Sequence, residues 1–142
     1  MVFGQLAPRH PPDLGFPIHY TGHLYDDLSL RALYTSADLL VVPSRQEAFG
    51  QTASEAHACG TPVVAFNVGG LPDIVEHQRT GYLARAFDTE DLAVGNQWVL
   101  SRNESERQTM RENAHERAMT LFDSHVVAKQ YVDLYQKVLQ GA

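Results

Sequence analysis

The stretch PSRQEAFGQTASEAHACGTPVVAFNVGG, Pro43 to Gly70, decides how the rest of the chain reads. Just before it, Ala37 to Val42 (ADLLVV) is a short aliphatic run suited to a strand buried on both faces of a parallel sheet. Pro43 ends that strand. Ser44 to Glu47 are polar, and Gly50 supplies a position without Cβ where the chain turns or another molecule comes close. From Gln51 to Cys59, the alanines Ala53, Ala56 and Ala58 favour helix; Gly60 stands where such a helix ends, and Thr61-Pro62 prevents its continuation. Pro62 to Phe66 is the next buried strand, and Gly69-Gly70 the next turn.

A strand that delivers its carboxyl end into a glycine-containing turn and then a helix N-terminus makes an anion site. Unpaired backbone N–H groups and the helix dipole point the same way there. Ligands of open α/β sheets bind in that crevice. Two acids lie within the stretch: Glu47 at its mouth, where a carboxylate accepts hydrogen bonds from ligand hydroxyls, and Glu55 on the helix, facing the same cleft or the solvent. Spacing alone leaves open that Glu47 is an ordinary loop acid and Glu55 a solvated one.

A longer ordered set of residues narrows the choice. Tyr34, Ala37-Asp38, Pro43-Ser44, Glu47, Phe49-Gly50, Glu55-Ala56, Cys59 to Val64, Gly69-Gly70, Asp73 to Val75 and Gly81 together resemble the signature of a known enzyme family. It is the group 1, or family 4, retaining glycosyltransferases, which use nucleotide sugars and have a GT-B fold of two Rossmann-like domains. The resemblance covers Val2 to Leu100; beyond it the chain matches only by its helical pattern.

Outside the central stretch, Val2 to Gly4 reads as a strand running into a proline-containing loop, Gln5 to Gly15, and Phe16 to Tyr20 as a second strand. Asp26-Asp27 open a helix that runs to Ser36 with Leu28, Leu30, Leu33 and Tyr34 as its apolar residues. Pro72 fits the first turn of a helix carrying Ile74 and Val75, and Tyr82 to Ala84 a short strand. A helix from Asp88 carries Leu92, Val94, Trp98, Val99 and Leu100, with Gly95 a weak point in its middle. Asn103 or Ser105 caps a charged helix to Leu121 with Met110, Ala114 and Ala118 on its apolar face, and Asp123 or Ser124 caps a last one. That last helix bears Val127, Tyr131, Leu134, Tyr135 and Val138 at helical spacing, read as core or interface. Alternating strands and helices give an α/β domain with a mainly parallel sheet, of about four strands against the six of a complete doubly wound sheet.

The 142 residues suffice for one domain and are short for two. A formal net charge of -6 argues against nucleic-acid binding. Cys59 is the only cysteine, so no intrachain disulfide forms, and a reducing, cytoplasmic setting fits. No apolar run reaches membrane-span length, and the N-terminus has no signal pattern. His19 and His23 flank Gly22 at a predicted strand end and lack companions at ligand spacing, so no metal site is expected. His57 reads as a packing or solvated residue and His77 as a surface one near the cleft. There is no G-x-G-x-x-G, no G-x-S-x-G and no phosphate loop of the Walker type, which sets aside dinucleotide dehydrogenases, α/β hydrolases and P-loop enzymes.

The resemblance implies a single, truncated Rossmann-like three-layer domain over residues 1–142, incomplete at its N-terminal side: the carboxy-terminal, nucleotide-sugar-binding half of a GT-B enzyme of polysaccharide biosynthesis. It implies transfer of a hexose from a UDP- or GDP-sugar, with no cofactor, to a glycan or lipid-linked acceptor held by a missing N-terminal domain. The chain alone is expected not to catalyse transfer. By the same resemblance, Glu55 would hold the ribose hydroxyls, and the N–H groups near Phe49, Gly50, Gln51 and Thr52 would contact donor sugar and diphosphate. Glu47 would bind sugar hydroxyls and stabilise the oxocarbenium-like centre. Family members also place an Arg and a Lys earlier in the domain to neutralise the diphosphate; those positions are missing, and Arg45 does not match them. The resemblance further implies a cytoplasmic protein with a membrane-peripheral surface in its full-length form. A non-catalytic nucleotide-binding or interaction module with the same fold is the alternative.

Overall fold

A computed structural model describes residues 1–141. It divides into two units, Met1–Leu33 and Tyr34–Ala142.

In the first unit the two expected strands do not form a ladder. Val2 and Tyr20 make one isolated parallel bridge, supported by Val2 N–H donating to His19 O at 2.7 Å and Thr21 N–H donating to Val2 O at 2.9 Å. Pro17 has no N–H to offer a ladder, and Phe16 is exposed, so neither hydrogen bonding nor burial extends the pairing. Among the described residues the strand count therefore falls from about four to three, with isolated bridges at Val2–Tyr20 and His77–Gly81. Helix α1, Asp27–Thr35, carries the boundary between units. Asp26 Oδ1 accepts from Ser29 N–H at 2.8 Å at its start, which holds the Asp26 carboxyl below the usual carboxylate range. Of the four apolar residues expected on its face, only Tyr34 is buried.

The second unit is built on three parallel strands, β1 (Leu40–Val42), β2 (Val63–Phe66) and β3 (Gly81–Ala84), in the order β1-β2-β3. Leu40 pairs with Val63, and Val63 with Gly81. All four residues of β2 are buried, the pattern of a central strand covered on both faces. Gly81 is where the strands need a glycine, since a Cβ there would overlap the Val63 carbonyl.

Helices follow each strand: α2 (Gln51–Ala58), the short α3 (Leu71–Ile74) and α4 (Thr89–Leu100), then α5 (Glu104–Leu121) and α6 (Ser124–Gln140). On one face Val64, Phe66 and Ala84 pack against Leu92 and Val99 of α4 and Met110 of α5. Gly95, the weak point of α4 by propensity, is there for packing: a Cβ would lie 2.5 Å from the Tyr82 ring and 3.0 Å from Val64 Cγ1. On the other side α2 packs on β1, β2 and α5. Side-chain caps open the later helices. Asp88 accepts from Glu90 N–H and Asp91 N–H, Asn103 and Glu106 form a reciprocal capping box, and Asp123 accepts from His125 N–H.

Two arginines of α5 tie it to distant backbone. Arg111 donates to Ala37 O at 3.1 Å, and Arg117 donates to Ile74 O at 2.7 Å and Asp73 O at 2.8 Å, satisfying carbonyls at the end of α3. The apolar stripe of α6 joins no core: no residue of that helix is buried, and Tyr135 is 62% exposed.

Candidate functional site

The loop from Pro43 to Gly50 lies at the carboxyl end of β1, and the turn at Gly69-Gly70 follows the carboxyl end of β2. The structure presses these two segments together. Gly70 N–H donates to Glu47 O at 3.2 Å, a Cβ on Gly69 would overlap that same carbonyl oxygen, and one on Gly70 would lie 2.6 Å from Phe49 O. Gly69 also has φ +53, so its lack of a side chain meets two demands at once. The doublet thus lets backbone meet backbone beneath Glu47.

Gly50 is buried and left-handed, with φ 101, and begins α2 with no side-chain cap. A Cβ there would lie 2.9 Å from Leu71 Cδ2 and 3.0 Å from Ile74 Cδ1. The first helical hydrogen bonds are those of Ala53 N–H and Ser54 N–H to Gly50 O, at 2.9 and 3.1 Å. The amides of Gln51 and Thr52, both exposed, precede that turn. An uncapped helix start of this kind presents N–H groups and positive dipole to an anion.

Glu47 is half-buried, its Cγ 3.6 Å from where a Cβ on Gly50 would sit. Phe49 is 45% exposed and sets its ring edge-on against Phe122 at 5.4 Å between centroids. Loop, glycine doublet and helix start are therefore one constellation. Glu55 belongs to the second turn of α2, half-buried, where Oε2 accepts from Tyr34 Oη at 2.9 Å. Burial, together with the Glu55 carboxylate beside it, pushes the Tyr34 phenol well above its ordinary range, so the hydroxyl keeps its proton and donates. Sequence reasoning placed Tyr34 on the apolar face of its helix. The polar use of its hydroxyl has no signal in spacing, because the partner lies 21 residues away.

His57 is the residue whose role changes most. It is fully buried on α2, with its Nε2 3.1 Å from Thr80 O and its Nδ1 without a hydrogen-bond partner. Burial pulls its pKa down to about 4 against the pull of the Thr80 carbonyl, with the Arg117 charge adding to the lowering. Its ring is thus neutral at neutral pH, Nε2–H donating. His77 accepts from Leu83 N–H at Nδ1 and sets its ring at 58° to that of Tyr82, 4.5 Å between centroids, a clamp on the turn before β3. Arg45 lies over the Phe87 ring at 4.9 Å. Among the described residues no group of three or more His, Cys, Asp or Glu could hold a metal ion, and no helix is long and apolar enough to cross a membrane.

The family model "Glycosyl transferases group 1" matches residues 14–117. The chain is 36% identical over 109 residues to N-acetyl-alpha-D-glucosaminyl L-malate synthase of Bacillus anthracis, covering 76% of this chain and 28% of that protein. Among solved structures, sucrose-phosphate synthase of Thermosynechococcus elongatus matches with a TM-score of 0.77 and 36% identity, over 87% of this chain and 31% of that one. Anabaena HepE in complex with UDP-glucose matches with a TM-score of 0.72 and 27% identity, over 83% of this chain and 32% of that one. The chain spans less than a third of the length of each of these relatives. The parallel α/β arrangement is that of the carboxy-terminal half of a GT-B glycosyltransferase. Sequence signature, fold and relatives agree, and the chain belongs to the group 1 glycosyl transferases.

Proposed function

We propose that this chain is the donor-binding half of a retaining glycosyltransferase that moves a hexose from a UDP- or GDP-sugar to a hydroxyl of a glycan or lipid-linked acceptor. The observation that carries the reading is the uncapped, left-handed Gly50 start of α2 at the carboxyl end of β1, packed on the Gly69-Gly70 turn. There the amides of Gln51 and Thr52 receive the diphosphate, Gly50 admits it without a Cβ, and Phe49 lies alongside. The UDP-glucose bound by HepE supports a nucleotide-sugar as ligand.

Glu47, on the adjoining loop, takes the hydroxyls of the donor sugar. As the bond to diphosphate lengthens, positive charge grows on the sugar, and a carboxylate held by the glycine-packed loop stabilises it more than it stabilises the ground state. Glu55 accepts hydrogen bonds from the ribose hydroxyls, using the lone pairs left after Tyr34. The acceptor belongs to a further domain, and the domain described here is a single, partial Rossmann-like unit of the whole enzyme. A cytoplasmic site of action, peripheral to a membrane where the acceptor is lipid-linked, completes the reading.

Isothermal titration of UDP and GDP into the parent chain and Glu55→Ala tests it. One of the two nucleotides should bind the parent, and loss of a hydrogen-bonding carboxylate should cost about 1–3 kcal/mol of that binding. Equal affinity in both proteins removes Glu55 from the site.

A further inference from the structure

Glu55 stands half-buried on one side of α2, and a carboxylate on three rotatable bonds gains nothing as a ribose clamp unless something holds it still. The structure supplies the holder. Tyr34 is 3% exposed, and its hydroxyl donates to one carboxylate oxygen, Oε2, at 2.9 Å. The backbone that carries the ring is held too: Thr61 Oγ1 donates to the Tyr34 carbonyl oxygen at 2.7 Å, and Ala37 N–H donates to the same oxygen at 3.1 Å. Thr61 follows the Gly60 end of α2, so the helix that carries Glu55 and the loop that anchors Tyr34 are continuous. Tyr34 and Thr61 are buried, and the half-buried Glu55 is the member of the set that reaches toward solvent.

We infer that Tyr34 is a positioning residue for nucleotide recognition: its buried hydroxyl locks the Glu55 carboxylate by Oε2 so that Oε1 and the remaining lone pair of Oε2 are set to accept from a vicinal diol. This rests on the reading of Glu55 as the ribose contact. A carboxylate offers about four lone-pair positions, of which Tyr34 takes one, leaving enough for the two hydroxyls of a ribose. Tyr34 does not touch the ligand. What it sets is the preference for a diol over a sugar lacking one, because misdirected lone pairs penalise the hydroxyls and leave the base and diphosphate contacts untouched.

The test is a set of titrations with UDP and GDP, each beside its 2′,3′-dideoxy counterpart, on the parent chain, Tyr34→Phe, Glu55→Ala and the double variant. The ratio of the two dissociation constants is the readout. The parent should prefer the diol, Tyr34→Phe should shrink that preference roughly threefold to tenfold, the range expected for freeing one immobilised side chain, and Glu55→Ala should remove it. In the Glu55→Ala background, Tyr34→Phe should leave the ratio unchanged. A full preference in Tyr34→Phe, with loss in Glu55→Ala, overturns the inference and leaves the Glu55 reading standing. An equal loss for diol and dideoxy ligands in Tyr34→Phe makes its role structural only and also overturns it. A preference that survives Glu55→Ala, or a parent that binds neither nucleotide, overturns both. Thermal melting checks each variant. If Tyr34→Phe does not fold, Thr61→Val, which removes the hydroxyl that holds the Tyr34 carbonyl, must reduce the same ratio for the inference to stand.

Discussion

His57 allows a prediction that depends only on the fold. The neutral ring donates from Nε2 to Thr80 O, and a second proton would have to sit on Nδ1, which has no acceptor, inside a fully buried site facing the Arg117 charge. The folded pKa of about 4 lies below the 6.5 of the unfolded chain. Between those values the unfolded state binds more protons, so stability rises with pH there: it is intact above the unfolded pKa and is lost as pH falls toward the folded one. The loss reaches about 2 kcal/mol by pH 5 and levels off near 3 kcal/mol below pH 4. His57→Gln keeps an N–H for the Thr80 carbonyl and cannot titrate. Urea denaturation of both proteins at pH 7.5 and pH 5 isolates the effect, because the other six histidines are common to both. The parent should lose about 2 kcal/mol more than His57→Gln over that interval. Equal losses would falsify the account of a buried neutral imidazole.

Glu47→Gln, placed in the full-length enzyme, keeps size and one acceptor and removes charge. Its kcat should fall on the order of a hundredfold, as for removal of one electrostatic stabiliser, with nucleotide affinity nearly unchanged; steady-state kinetics showing near-normal kcat would make Glu47 a plain loop acid. Gly70→Ala meets the Phe49 and Ala48 carbonyls at 2.6 and 2.7 Å without backbone strain, since its φ is -82. It should cost about 1–3 kcal/mol in chemical denaturation and weaken nucleotide binding with it; an unperturbed melt argues against the packed double turn. Asn103→Ala removes half of a capping box on α5, away from the site, and should lower stability by about 1 kcal/mol while UDP titration stays unaltered.

Much of this architecture is legible in local chemistry. Gly60, Pro62, Pro72, Asp88, Asn103 and Asp123 mark helix ends where the structure has them, because caps and breakers act through atoms within a few residues. The two strands are legible as aliphatic runs flanked by breakers, and β2 is buried throughout as expected; β1 is not buried on both faces, since it is the edge strand of the three and only Val42 in it is buried. Phe16 to Tyr20 misled for the complementary reason. Its composition suits a strand, but a strand exists only where a partner pays out hydrogen bonds along its length, and here the pairing stops at one bridge. The α6 stripe shows the same limit, since spacing identifies an apolar face without saying what covers it.

The sequence by itself determined the parallel α/β class, the order of elements after Ala37, and the candidate loop and helix start around Glu47 and Gly50. These follow from periodicity, punctuation and a motif whose residues are close in the chain. Only the tertiary structure decided that Gly69-Gly70 packs beneath Glu47, that Tyr34 holds Glu55, and that His57 is sealed away from solvent with one nitrogen unpartnered. Each of these joins groups about 20 or more residues apart. The burial that sets their hydrogen bonding and protonation is a property of the packed elements together, and no window of sequence contains it.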